Sequence, residues 1–169
     1  SFLIAVSGGP DSLALAAFAK AYSYEKKCKI NYALVDHNIR KNSSSEAISV
    51  KTLLNKYKIK LVILKNKKFI NKNIQSQARK IRYNLLVNYC KKNKIKTILT
   101  AHNLEDQVET FFIRLSRGSG LQGLSSMRQI NTINKGICLA RPFLDLKKKE
   151  LIKISKVVFG KFYKDPTNK

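Results

Sequence analysis

The sequence predicts an α/β fold, a doubly wound parallel sheet of about five strands with helices on both faces. Three observations predict it. Short apolar runs alternate with stretches of helical spacing along the whole chain. The first run ends in a glycine pair and passes straight into an Ala/Leu-rich stretch. The rare residues, glycine, histidine and arginine, gather in a few short segments, two of them at predicted strand ends, where such sheets bind their ligands.

Taken in order, Phe2–Val6 is a short apolar strand, and Ser12–Tyr22 is an Ala/Leu-rich helix that Asp11 or Ser12 could cap. Ile30–Val35 reads as a second strand. Ser43–Ser45 offers caps for a helix ending near Tyr57, and Leu61–Leu64 is a third strand. From Asn73 to about Asn93, apolar residues recur at helical spacing (Ile74, Ala78, Ile81, Leu85, Leu86, Tyr89). Thr97–Thr100 is strand-like, and Leu104–Leu115 is helical. A Gly/Ser loop covers Arg117–Ser126, a strand lies near Ile137–Ala140, and Lys147–Val158 forms the last helix. Residues 1–169 are expected to form one domain, and the start at Ser1, running directly into a strand, is that expected of a piece of a longer protein.

Composition narrows the function. No stretch approaches the ~18 apolar residues of a membrane span, and no basic segment precedes the first apolar run. The three cysteines are far apart in sequence and form no CxxC pair, which suits buried thiols in a reducing compartment. With 34 basic and 10 acidic residues the net charge is +24, which fits a polyanionic partner but equally a general lysine bias. The seven arginines are the sharper signal, because only the planar guanidinium binds phosphate and carboxylate bidentately.

Four segments carry chemistry. Ser7-Gly8-Gly9-Pro10-Asp11-Ser12 is a strand end, a glycine turn and a helix start, an arrangement that presents backbone N–H groups to phosphate. It lacks the Gly-Lys-Ser/Thr ending of a Walker loop. Asp36-His37-Asn38-Ile39-Arg40 ends the second strand, the place from which a nucleoside is read. Arg79 and Arg82 share a face of their helix. The fourth and strongest runs from His102 through Asp106 and Glu109, spaced i, i+4 and i+7, to Arg114, Arg117, Gly118 and Gly120. Its carboxylates suit a cation, either Mg²⁺ or a substrate ammonium. A transition-metal site is disfavoured because His37 is the only other imidazole. The Arg/Gly part suits phosphate or an RNA backbone.

The first segment resembles the Ser-Gly-Gly-x-Asp-Ser signature of the PP-loop ATP pyrophosphatases. Together with Val35-Asp36-His37-x-x-Arg40, Ala78-Arg79-x-x-Arg82-Tyr83, His102-x-x-x-Asp106-Gln107-x-Glu109-Thr110, Arg117-Gly118-Ser119-Gly120-Leu121-x-Gly123-Leu124, Arg141-Pro142 and Asp165-Pro166-Thr167-Asn168, the ordered set resembles the tRNA(Ile)-lysidine synthase family. That resemblance implies an adenine nucleotide alpha hydrolase-like fold and two half-reactions. ATP activates C2 of cytidine 34 in the CAU anticodon of tRNA(Ile), with AMP attached and pyrophosphate released. Free L-lysine then displaces AMP. It implies Ser7, Gly8, Gly9, Pro10, Asp11 and Ser12 around ATP, with Asp36, His37 and His102 near the nucleotide, and Asp11 as a Mg²⁺ ligand. Asp36, Arg82, Asp106, Glu109 and Arg141 become the catalytic set. Asp106 and Glu109 would hold the amines of lysine, and Arg82 and Arg141 its carboxylate or the adenylated intermediate. Arg114, Arg117, Gly118 and Gly120 would contact tRNA. The family continues into C-terminal tRNA-binding parts beyond Asp165–Asn168. A cytoplasmic or organelle setting follows, with no membrane partner and a homodimer left open. The competing expectations are a tRNA thiolase on the same loop and a non-catalytic RNA-binding module.

Overall fold

The computed structural model describes residues 1–39, 42–66, 73–120, 125 and 127–163. Six strands form one sheet: β1 (Phe2–Val6), β2 (Ile30–Asp36), β3 (Leu61–Lys65), β4 (Thr97–Leu99), β5 (Ile130–Asn134) and β6 (Ile137–Ala140). Five helices connect or follow them: α1 (Pro10–Glu25), α2 (Ser43–Lys56), α3 (Ile74–Lys92), α4 (Leu104–Ser116) and α5 (Lys148–Phe159). The spatial order is β3-β2-β1-β4-β6-β5. The expected strands are parallel neighbours, with Phe2 opposite both Ile30 and Thr97, and Thr97 opposite Cys138. The sixth strand, β5, pairs antiparallel to β6. The chain winds outward from β1 through β2 to β3, then returns to β4 on the other side. The topological switch therefore falls between β1 and β4.

Side chains alternate across β1, and each set enters a different core. Ile4 and Val6 pack with Leu13 and Ala16 of α1, Val50 and Leu54 of α2, and Leu151 and Phe159 of α5. Leu3 and Ala5 pack on the other face with Leu86, Val87 and Cys90 of α3 and with Ile98 and Leu139. Helix α1 is apolar all round from Leu13 to Phe18 because α5 covers the side turned away from the sheet. Helix α4 differs: it buries no residue, and Val108, Phe111, Phe112 and Leu115 face outward.

Two capping expectations are corrected. The N-cap of α1 is Gly9, without a side-chain bond, and Pro10 opens the helix. Proline suits that position, since its ring presets φ and its missing N–H is not needed. Asp11 and Ser12 therefore lie inside the first turn. The N-cap of α2 is Asn42, also without a side-chain bond, and Ser43 is already helical.

Leu151 is fully buried between α5 and α1. Leu151→Ala should lower the unfolding free energy by about 2–5 kcal/mol in urea denaturation. A loss below about 1 kcal/mol would contradict the packing of α5 against this core.

Candidate active site

The carboxyl ends of β1, β4 and β6 lie side by side. They deliver the Ser7–Gly9 turn, the Thr100–Asn103 turn and Arg141 to one edge of the sheet. In the first turn, Ser12 Oγ accepts hydrogen bonds from the N–H groups of Ser7 and Gly8, both at 3.1 Å, and from the Ser7 hydroxyl at 3.1 Å. It donates to the Gly9 carbonyl at 2.9 Å. Adjacent N–H groups converging on one oxygen form the kind of concavity that can receive an anion's oxygen. Gly8 holds φ +88°, and a Cβ there would come within 2.6 Å of Val50 Cγ2. Its carbonyl accepts from the N–H of Tyr163 at 3.0 Å. The peptide is thus clamped between α2 and the segment after α5, and glycine is the residue that fits.

Asp11 follows in the first turn of α1, half-buried, with Oδ1 sealed from solvent and without a hydrogen-bond partner among the described residues. Its pKa is pushed up to about 6, first by burial. Asp106 and Glu105 add to the rise, while Lys148 and the Asn103 side chain oppose it. An orphaned carboxylate oxygen fits a hard divalent cation, for which one or two carboxylates plus phosphate oxygens suffice. Among the described residues no three His, Cys, Asp or Glu side chains gather as a self-contained metal cage.

Helix α4 begins with a capping box. Asn103 Oδ1 accepts from the Asp106 N–H at 3.0 Å, and Asp106 Oδ2 accepts from the Asn103 N–H at 2.9 Å. One Asp106 oxygen therefore holds the helix start. Burial raises the Asp106 pKa, with Glu109 and Glu105 adding and the Asn103 N–H and Lys148 opposing. His102 precedes the cap, so it is not on the helix as the i, i+4, i+7 spacing implied. It nevertheless lines the same cavity.

That cavity has a volume of about 740 Å³ and brings together seven residues singled out from sequence: Arg79, His102, Asp106, Glu109, Arg114, Arg117 and Arg141. Arg141 is buried, with Nη1 donating to the Arg128 carbonyl at 2.8 Å and Nε buried without a partner among the described residues. A buried guanidinium with an unused donor is suited to an anionic guest. His102 pairs its Nδ1 with the Thr100 hydroxyl at 2.9 Å. Burial, then the charges of Arg141, Arg82 and Arg79, push its pKa down to about 4, so the ring is neutral at pH 7.

Arg82 is half-buried on α3 and acts on His102 through its charge, but it does not line the cavity. Arg114 Nη1 donates to the Ser125 carbonyl, and Gly118 turns the chain after α4 at φ +67°. Gly120 is exposed nearby. Arg128 and Asn131 also line the cavity and were missed from sequence, because they belong to the unexpected edge hairpin. Asp36 sits apart, at the end of β2 on the other side of β1. Its oxygens accept from the Ser44 hydroxyl at 2.6 Å and the Asn38 N–H at 3.0 Å. Burial would raise its pKa, but these bonds prevail and hold it below the usual carboxylate value. The His37 carbonyl accepts from Asn66 Nδ2 at 3.1 Å. Arg40 and the Asp165–Asn168 motif lie outside the described residues.

The folded state binds the Asp11 proton more tightly than the unfolded chain, whose carboxyl titrates near 3.8. Ionising it therefore removes stability as pH rises from 3.8 through about 6, and that loss persists above. Asp11→Asn should raise the melting temperature of the ligand-free protein at pH 7 and flatten its stability profile across that window. An unchanged pH profile would show that Asp11 is not buried in this acidic setting.

Comparisons with known proteins agree with this architecture. The chain is 43% identical over 166 residues to the tRNA(Ile)-lysidine synthase of Orientia tsutsugamushi (strain Boryong), covering 98% of this chain and 37% of that protein. It is 38% identical to the tRNA(Ile)-lysidine synthase of Wolbachia sp. subsp. Brugia malayi (strain TRS), covering 98% of this chain and 39% of that protein. The chain thus spans less than half the length of these curated relatives. Among solved structures, the U34-tRNA thiolase NcsA from Methanococcus maripaludis, with its [4Fe-4S] cluster, superposes with a TM-score of 0.78 at 19% identity. That match covers 98% of this chain and 59% of the thiolase. An NH3-dependent NAD synthetase from Campylobacter jejuni gives 0.55 at 18% identity, over 94% of this chain and 63% of that one. These two likenesses concern the fold. The PP-loop domain model matches residues 1–169, the whole chain, and the protein belongs to that family.

Proposed function

We propose that the chain is the ATP-using domain of a tRNA(Ile)-lysidine synthase, joining free L-lysine to C2 of cytidine 34 in the CAU anticodon. The observation that carries this reading is one acid shared between the loop and the cavity. Asp106 lines the large cavity while its charge acts on Asp11 beside the phosphate loop. A nucleotide on the loop and an acceptor in the cavity would then meet at the start of α4. The relatives' shared name, at 37–47% coverage of their own lengths, supports the same reaction.

In the first half-reaction, the C2 carbonyl oxygen of cytidine attacks the α-phosphorus of ATP. The bond from that phosphorus to the α–β bridging oxygen breaks, and pyrophosphate leaves. The N–H groups of Ser7 and Gly8 would take phosphate oxygens in place of Ser12 Oγ. Mg²⁺, bound through Asp11 with Asp106 nearby, would neutralise phosphate charge. Asp36 and His37, beyond β1, belong with the nucleoside end of ATP, and His102 lies between nucleotide and acceptor.

In the second half-reaction, the ε-amine of lysine bonds to C2, the C2–O bond breaks, and AMP departs with the oxygen. Asp106 and Glu109 hold the amines of lysine, and Arg141, with Arg82 behind it, holds the carboxylate or the adenylated intermediate. The amine attacks as its free base, and the protons it sheds have two nearby acceptors, Asp106 with its raised pKa and neutral His102. Arg114 and Arg117, with the Gly118–Gly120 backbone, contact the tRNA phosphates at the cavity mouth. The cytosine must leave the anticodon stack to enter.

Sulfur transfer on the same fold fits the residues less well. Cys28, Cys90 and Cys138 fall before β2, on α3 and on β6, and the Cys90 thiol is buried with its pKa pushed up to about 11.

Incubation with ATP, Mg²⁺, labelled lysine and tRNA(Ile) bearing a CAU anticodon should put the label into tRNA with release of AMP. Absence of label in tRNA would reject the reading. Ser12→Ala and Asp11→Ala should each abolish ATP–pyrophosphate exchange in the presence of tRNA(Ile), and normal exchange in both would remove the loop from the mechanism. Glu109→Gln should raise the lysine KM by roughly tenfold or more, as expected for loss of a charged hydrogen bond. An unchanged KM would remove Glu109 from the lysine site.

A further inference from the structure

Lys148 belongs to none of the sequence motifs, yet the fold carries it to the acidic edge of the phosphate loop. Two backbone contacts bring it there. The N–H of Leu104 donates to the Leu146 carbonyl at 3.0 Å, and the N–H of Lys148 donates to Glu105 Oε2 at 2.9 Å. Together they staple the start of α5 to the start of α4. The packing of α5 on α1 through Leu151 fixes the third side. The Lys148 ammonium consequently acts on both Asp11 and Asp106. It forms an ion pair with neither, since among the described residues that contact is found only between Lys26 and Glu25. A cation held near two carboxylates, but bound to neither, is free to engage a third anion.

The chemistry of the loop calls for such a cation. Cleavage of the α–β bond loads negative charge onto pyrophosphate, and a lysine within the loop often meets it in other nucleotide-binding folds. Ser7-Gly8-Gly9-Pro10-Asp11-Ser12 contains none, and Lys20, the first lysine of α1, donates instead to the Lys58 carbonyl at 3.2 Å. The cavity arginines face the acceptor side. We propose that Lys148 is the residue that receives the β- and γ-phosphates of ATP and stabilises pyrophosphate as it leaves. This assignment rests on the ATP-pyrophosphatase reading above. It goes further by naming a phosphate ligand contributed from a different helix.

The test uses Lys148→Met, with Lys148→Arg as the conservative variant and Lys149→Met, an exposed neighbour, as control. The pyrophosphate dependence of ATP–pyrophosphate exchange in the presence of tRNA(Ile), direct binding of magnesium pyrophosphate, the KM values for ATP and lysine, and the melting temperature are measured for each. Lys148→Met should weaken pyrophosphate binding and raise the ATP KM by roughly tenfold or more, the scale of a lost charge-assisted contact. The lysine KM should stay unchanged, Lys148→Arg should restore much of the loss, and Lys149→Met should behave as wild type. If Lys148→Met lowers only the melting temperature while pyrophosphate binds as before, Lys148 merely offsets Asp11 and Asp106, and the proposal is overturned. If the wild-type protein neither exchanges nor binds pyrophosphate, the ATP reading itself falls, and this assignment falls with it.

Discussion

Everything at the site depends on one adjacency, that of the carboxyl ends of β1, β4 and β6 on a parallel sheet. Parallel strands all point their carboxyl ends the same way, so loops far apart in sequence open onto one edge. The switch between β1 and β4 parts their connections to opposite directions and leaves a crevice. The Ser7–Gly9 turn lies on one side of that crevice, and the start of α4 lies on the other. Arg141 arrives from β6, next along the sheet. At the loop, Gly8 takes a left-handed φ of +88°, and the tight space beside Val50 ties the loop to α2.

The second organising effect is electrostatic. A chain with net charge +24 concentrates Asp11, Glu105, Asp106 and Glu109 at one end of α1 and α4. It then sets Asp106 and Glu109 together with arginines around a cavity of about 740 Å³. Burial makes both sides reactive in different ways. It raises Asp11 and Asp106 toward neutrality, and it drives His102 to a pKa of about 4 beside the arginines. A ligand with both ammonium and carboxylate groups could satisfy both sides at once. A purely anionic or purely cationic ligand could not.

Most of this was legible in the sequence because it was written in local patterns. The five parallel strands followed from alternation, and seven cavity residues followed from scarcity and spacing. What escaped was long-range. Strand β5 has a polar, exposed sequence, Ile130-Asn131-Thr132-Ile133-Asn134, whose pairing depends on β6 rather than on its own burial. Arg128 and Asn131 were missed with it. Lys148 looked like one lysine among many, since only the stapling of α5 to α4 distinguishes it. The cap positions misled for a similar reason, because Ser12 turns its hydroxyl back into the loop instead of capping α1.

In the proposed function the loop takes the phosphates of ATP and the cavity takes the acceptor. A crystal structure of the protein with Mg²⁺ and a non-hydrolysable ATP analogue tests it most directly. The β- and γ-phosphates are expected on the N–H groups of Ser7 and Gly8, displacing Ser12 Oγ, with the arginine-lined cavity still open. Phosphates bound instead by Arg114, Arg117 and Arg141 inside the cavity would contradict it.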